Sequence, residues 1–113
     1  MAGVESHRRS RVLVMPEYGA DLLPLWDRSA EGGGGLHEDD IGISVGLATR
    51  LRGWNASWAS HPPEKPRMWS AKEENEWVQT GYRLARQLQS ELNDVEVLVM
   101  DSKGLEVSIS EVW

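Results

Sequence analysis

The sequence SAKEENEWVQTGYRLARQLQSEL, residues 70–92, carries the clearest structural signal in this chain of 113 residues. Ser70 and Glu73 have the spacing of a capping box, in which each side chain accepts the other residue's backbone N–H at the start of a helix. Apolar or small residues then recur at helical spacing, at Trp77, Gly81, Leu84, Ala85, Leu88 and Leu92. The pattern predicts an amphipathic helix that stops near Asn93. Gly81 in its apolar face would permit another element to approach closely.

Two alternating apolar segments follow that helix. Val95, Val97 and Val99 alternate with other residues, and the same alternation returns over residues 105–109. The sequence DSKG, residues 101–104, separates the two segments. This arrangement predicts a β-hairpin with a four-residue loop.

The chain before the long helix contains one strand and one further helix. The run RVLVM, residues 11–15, predicts a strand covered on both faces, and Pro16 ends it because proline has no N–H for the ladder. Ser44 can cap a helix at residues 45–59, and prolines after residue 61 end it. Its predicted buried face comprises Leu47, Leu51, Trp54 and Trp58.

The predicted fold class is therefore α+β, in the order strand, loop, helix, helix, strand, strand. We expect a small two-layer domain in which a three-stranded sheet has both helices packed on one face. Residues 1–113 should form a single domain. Residues 1–10 are predicted to be a flexible N-terminus, and residues 28–42, with four consecutive glycines and the acidic run HEDD, a mobile loop.

Composition narrows the classes of partner. The net charge is −6 and the pI about 5.0, which argues against nucleic-acid binding and favours a basic or apolar partner. No apolar run is long enough for a membrane helix, so no membrane association is predicted. The sequence has no cysteine and no apolar segment of signal-peptide length near its start, so we expect a cytoplasmic protein.

The sequence contains no recognisable catalytic or metal-binding motif. GISVG, residues 42–46, lacks the GxSxG spacing of a nucleophile elbow, and the glycine run is not followed by the lysine of a phosphate-binding loop. The three histidines are far apart, and HEDD lacks the alternate spacing of a calcium loop. We therefore predict no catalytic residue, no metal and no cofactor.

The loop that follows the first strand is the predicted partner-binding site. It combines aromatic and acidic side chains, which suit a partner rich in arginine or lysine: Glu17, Tyr18, Asp21, Trp26 and Asp27. The alternative is that Asp21 and Asp27 cap turns while Trp26 fills the core.

Three motifs together resemble a group of small bacterial proteins. These proteins carry a strand followed by MP-[DE]-[YF]-G, then PLWD, and later a helix of the form GxxLAxxLxxEL. Here the motifs fall on residues 15–19, on residues 24–27 and on residues 81–92, and the glycine-rich segment departs from the pattern. The resemblance covers most of the chain and implies a shared fold without implying an activity.

Three functions fit these features. The first is a non-enzymatic protein of the immunity or antitoxin type, whose acidic and aromatic surface covers a basic site on a partner protein. The second is a homodimeric structural or accessory protein that associates through Trp54 and Trp58. The third is a small hydrolase that uses Glu17, Asp21 and Asp27.

Overall fold

The computed structural model describes residues 11–16, 22–29, 34–59 and 69–113. They form an α+β fold, as predicted. In chain order its elements are β1 (Arg11–Val14), β2 (Leu25–Asp27), a 3-10 turn (Glu38–Asp40), α1 (Val45–Ala59), α2 (Ala71–Glu91), β3 (Glu96–Met100), β4 (Glu106–Ser108) and α3 (Ile109–Val112).

The sheet has four strands in the order β2-β1-β3-β4, so the predicted three-stranded sheet was wrong in this detail. β1 and β3 are parallel, whereas β2 pairs antiparallel with β1 and β4 with β3. The missed strand, β2, has only three residues and follows Pro24 directly, so it is too short to show an alternating pattern. It forms because residues 25–27 pair with β1: Leu25 lies opposite Val14, and Asp27 lies opposite Val12.

Backbone hydrogen bonds from residues 34–36 cover the outer edge of β2. The N–H of Leu23 donates to the carbonyl of Leu36 at 2.8 Å, and the N–H of Leu36 donates to the carbonyl of Leu25 at 3.0 Å. The N–H of Asp27 donates to the carbonyl of Gly34, whose φ of 82° lies in the left-handed region that favours glycine. The predicted mobility of residues 28–42 stays a prediction, because residues 30–33, like the N-terminal residues 1–10, lie outside the described residues.

The bounds predicted for both long helices are confirmed to within one residue. In α1, the hydroxyl of Ser44 accepts the N–H of Leu47 at 3.1 Å. In α2, Ser70 and Glu73 form the predicted capping box, with N···O distances of 3.1 Å and 2.8 Å. The helix ends as expected, with Leu92 as its C-terminal cap.

One core joins the strands and the helices. Val12 and Val14 of β1 and Val97 and Val99 of β3 lie in the same buried cluster as apolar residues of both long helices. The helical members are Leu47, Ala48, Leu51, Trp54, Leu84, Ala85 and Leu88. Leu13 and Leu98 are also buried but lie outside this cluster, because successive strand residues point to opposite faces of the sheet.

Glu91 at the end of α2 ties that helix to the start of α1. One carboxylate oxygen accepts the backbone N–H of Ser44 and the other accepts its hydroxyl, each at 2.8 Å, and the amide of Gln87 donates to the second oxygen at 3.3 Å. The backbone hydrogen bond from Ser44 is the main reason that the pKa of Glu91 is lowered from its ordinary value of 4.5. The contact therefore favours the ionised carboxylate.

The predicted hairpin is confirmed, with its turn at DSKG. One oxygen of the Asp101 carboxylate accepts the N–H of Lys103 at 2.8 Å and that of Leu105 at 2.9 Å, and Gly104 has a φ of 82°. The second strand ends at Ser108 rather than continuing through Ile109 as predicted. Ile109 instead begins α3 and is fully buried. It continued the apolar alternation of the sequence because it packs in the core, not because it belongs to a strand.

Candidate protein-binding groove

The structure describes two of the five residues predicted to bind a partner. Trp26 and Asp27 belong to β2, whereas Glu17, Tyr18 and Asp21 lie outside the described residues. Trp26 is half-buried, and its indole N–H donates to the carbonyl of Met15 at 3.1 Å. This hydrogen bond joins β2 to the end of β1, where the predicted binding loop begins.

Asp27 has the turn-capping role that the alternative prediction gave it. Its carboxylate accepts the backbone N–H of Ser29 at 3.0 Å and the hydroxyl of the same residue at 2.5 Å. A cap of this kind stabilises the turn without excluding a role in binding. Partner binding by Trp26 and Asp27 stays a prediction.

A groove of about 500 Å³ lies where β1 and β3 end beside the first half of α2. Because β1 and β3 are parallel, their carboxyl ends meet at one edge of the sheet, a frequent position for binding sites in sheets of this kind. The strand ends contribute Val14, Met15, Pro16, Val99, Met100, Asp101 and Ser102, and the helices contribute Trp54, Ala71, Glu74, Asn75, Trp77, Val78, Gly81 and Tyr82. Pro16 immediately precedes Glu17, so the predicted binding loop starts at the rim of this groove.

Aromatic side chains form the helical side of the groove. Trp77 stacks on Trp54, and the ring of Trp69 lies 5.7 Å from that of Trp77 at an angle of 48°. The hydroxyl of Tyr82 donates to the carbonyl of Met100 at 3.0 Å, which fixes the ring between α2 and β3. These contacts position the aromatic rings along the helical side of the groove.

The charged side chains at the groove are acidic. Glu74 comes from α2 and Asp101 from the hairpin turn, and no lysine, arginine or histidine is among the described residues that line it. Within the described part of the chain, the Glu74 carboxylate forms no hydrogen bond or ion pair. The groove therefore combines an apolar surface with two carboxylates and Asn75.

The arginines with described ion pairs lie elsewhere on the surface. Arg11 contacts Glu96 at 3.2 Å, Arg28 contacts Glu106 at 3.2 Å, and Arg52 contacts Glu38 at 2.8 Å. These partly exposed pairs each contribute little to stability.

The groove was not predicted from the sequence. The homodimer hypothesis placed Trp54 in a self-interface. That placement was wrong, because Trp54 is only 8% exposed and is covered by α2. The available signal was the position of Pro16 and Glu17 directly after a buried strand, since strand ends commonly carry binding residues.

The part of the chain that the structure describes contains neither a candidate metal cluster nor a candidate membrane-spanning helix. Within it, no group of three or more histidine, aspartate or glutamate side chains could hold a metal ion. No helix there is both long enough and apolar enough to cross a membrane.

These features define a small α+β domain with a groove lined by apolar, aromatic and acidic residues. Residues 10–102 match the family described as Serratia CdiI immunity protein-like. The match covers most of the chain, and the chain belongs to this family. No curated protein matches the sequence. Family membership supports an immunity-protein-like role without enzymatic activity.

Proposed function

We propose that this chain is an immunity protein that binds a toxic partner protein and neutralises it by covering a basic site. The observation that carries the proposal is the family match over residues 10–102. The expected place of action is the cytoplasm, where the partner would otherwise do harm.

Charge supports a basic partner. The chain carries a net charge of −6. Two of the acidic residues, and no basic residue, are among the described residues that line the groove. An acidic surface attracts a basic partner from a distance and orients it on approach. A basic site on a toxin that acts on an anionic substrate would match this surface.

The proposed interface consists of Glu17, Tyr18, Asp21, Trp26 and Asp27 together with the adjoining groove. Two contacts support this placement. Met15 and Pro16 line the groove and lead into the loop, and the indole of Trp26 is hydrogen-bonded to the carbonyl of Met15. An aromatic anchor beside carboxylates is a common composition for the energetically important centre of an interface.

Affinity purification from lysate of the native cells tests the proposal. The baits are the wild type and the double variant Trp26→Ala/Asp27→Lys, with bound proteins identified by mass spectrometry. We expect one stoichiometric, basic partner with the wild type and its loss with the variant. Circular dichroism must show that the variant is folded, because Asp27 also caps the turn at Ser29.

Glu111→Lys is the matched control for charge. Glu111 is exposed on α3, which follows β4, and β2 and β4 are the two outer strands of the sheet. The substitution makes the same change in charge as Asp27→Lys. This variant should retain the partner. Equal retention by all three baits would contradict the assignment of the interface, and the absence of any partner would contradict the proposed function.

A further inference from the structure

We propose that the groove at the ends of β1 and β3 binds an arginine side chain of the partner protein. The inference rests on the proposed function and deepens it, since it assigns a specific side chain of the partner to a specific cavity. The residues that line the groove were not part of the predicted binding site. They belong to α2 and the hairpin turn as well as to β1.

The apolar lining matches the stem of an arginine. Val14, Val78, Val99 and Met100 line the groove, and Trp77 and Tyr82 stand on its helical side. The methylene groups of an arginine bury against such a surface while its charged end remains polar. The planar guanidinium also stacks favourably on aromatic rings.

The carboxylates match the charge of an arginine. Glu74 and Asp101 reach the groove from two different elements, and one oxygen of Asp101 is held by two backbone N–H groups. A guanidinium offers five N–H donors and pairs well with carboxylates. Asn75 adds an amide oxygen that can accept a further hydrogen bond.

The positive end of the α2 dipole does not make the groove favour an anion over a cation. A helix N-terminus has the equivalent of about half a positive charge, which by itself favours an anion. Here the side chains of Ser70 and Glu73 already satisfy exposed N–H groups of the first turn. The two carboxylates in the groove outweigh the remaining dipole, so a cation is favoured.

An uncharged apolar side chain fits the groove less well. Burying it there would remove water from the Glu74 carboxylate without supplying a partner. It would also desolvate Asp101, whose only described hydrogen bonds are to the N–H groups of its own turn. Desolvating carboxylates without a cationic partner is costly. Lysine would supply the charge but not the planar group that can stack and pair at the same time. Arginine satisfies both the apolar and the acidic parts of the lining.

Nuclear magnetic resonance with a small probe tests the site without the partner. The ¹⁵N-labelled full chain is titrated with N-acetyl-arginine methylamide, and in parallel with the citrulline analogue, which has a similar shape but no charge. We expect saturable shifts of the Trp77 indole N–H and the Gly81 amide with the arginine probe, and no comparable shifts with citrulline. Both reporter groups belong to residues that line the groove.

Glu74→Gln and Glu76→Gln form a matched pair of variants. Glu76 is an exposed residue of the same helix that does not line the groove, and each substitution removes one charge. Glu74→Gln should weaken binding of the arginine probe about threefold or more, as expected for loss of a partly exposed ion pair. Glu76→Gln should leave the affinity nearly unchanged.

The result separates this inference from the proposed function. Equal shifts with citrulline, no shifts with arginine, or equal effects of the two glutamate substitutions would overturn the arginine site. Any of these results would leave the capture of a partner by the wild-type chain unaffected. Conversely, saturable arginine binding without a protein partner would support the site while contradicting the immunity role.

Discussion

Trp54 of α1 and Trp77 of α2 hold the two long helices together through a reciprocal contact. Their rings stack with centroids 4.4 Å apart and planes within 8° of parallel. The indole N–H of Trp54 donates to the carbonyl of Trp77 at 2.9 Å, and that of Trp77 donates to the carbonyl of Trp54 at 3.1 Å. Each tryptophan thus satisfies its one polar group on the backbone of the other residue. The pair also forms part of the groove wall.

Replacing either tryptophan by phenylalanine should therefore affect the other. Trp54→Phe and Trp77→Phe each remove one indole donor and shrink one of the stacked rings, while the accepting carbonyl keeps its hydrogen bond within the helix. The lost hydrogen bond and packing should cost about 1–3 kcal/mol of unfolding free energy. The double variant should lose less than the sum, with a coupling of about 1 kcal/mol. Urea unfolding followed by circular dichroism measures all three variants. Additivity to within about 0.3 kcal/mol would show that the two contacts are independent.

Gly81 is required where α2 crosses Trp54. A Cβ atom at this position would lie 2.6 Å from Cζ2 of Trp54 and 3.0 Å from Cε2, and the indole is held by its hydrogen bond to Trp77. Gly81→Ala should destabilise the fold by about 1–3 kcal/mol through overpacking, despite the higher helix propensity of alanine. Thermal and urea unfolding measure the change.

Gly53→Ala is the matched control in the other helix. Gly53 lies within α1 and is exposed, and a Cβ atom there would meet nothing within 4 Å. Without a steric clash, the substitution should stabilise the protein by about 0.5–1 kcal/mol. A stabilising effect of Gly81→Ala as well would contradict the close approach of Trp54.

The contact between Glu91 and Ser44 should make stability depend on pH. The hydrogen bonds lower the pKa of Glu91 in the folded state, so its stabilising contribution is present above the ordinary value of 4.5 and disappears as the pH falls through the lowered pKa. Glu91→Gln should therefore be less stable than the wild type at pH 7. The difference should vanish at a pH low enough to protonate Glu91.

Urea unfolding of both proteins between pH 7 and pH 3 tests this dependence. Ser44→Ala provides a second background for the same comparison, because it removes the hydroxyl that donates to the Glu91 carboxylate at 2.8 Å. In that background, Glu91→Gln should cost less stability at neutral pH than it does in the wild type. A cost that stays constant across the pH range would show that the ionised carboxylate does not contribute.

Gly104 sets the conformation of the hairpin turn. Its φ is 82°, in a region that is unfavourable for residues with a Cβ atom. Gly104→Ala should cost about 1–2 kcal/mol, because the steric cost cannot be relieved while Asp101 caps the turn. Gly42→Ala is the control, since a Cβ atom there meets nothing within 4 Å and its φ is not in that region. If both substitutions proved equally neutral, the turn geometry would be contradicted.

The sequence predicted those elements whose signals are local. The capping box of Ser70 and Glu73 and the apolar spacing that follows lie within α2 itself, and Ser44 marks the start of α1 in the same way. The hairpin could also be predicted, because DSKG separates two segments in which apolar residues alternate. The sequence also predicted that Gly81 would permit another element to approach closely, and Trp54 lies against it.

The remaining features depend on contacts between distant parts of the chain. Leu25–Asp27 has too few residues to show a strand pattern, and it becomes a strand because β1 lies beside it. The parallel pairing of β1 with β3 joins residues more than 80 positions apart in the sequence, as in Val12 with Val97. The groove arises from that pairing, so neither its position nor the place of Glu74 in its lining could be predicted from local spacing.

Bacterial growth gives the decisive test of an immunity role. The partner captured by the wild-type chain is expressed under an inducible promoter, alone or together with this chain or its Trp26→Ala/Asp27→Lys variant. We expect that the partner alone arrests growth, that the wild-type chain restores it, and that the variant restores it poorly. A partner that does not arrest growth, or an arrest that the wild-type chain fails to relieve, would contradict an immunity role.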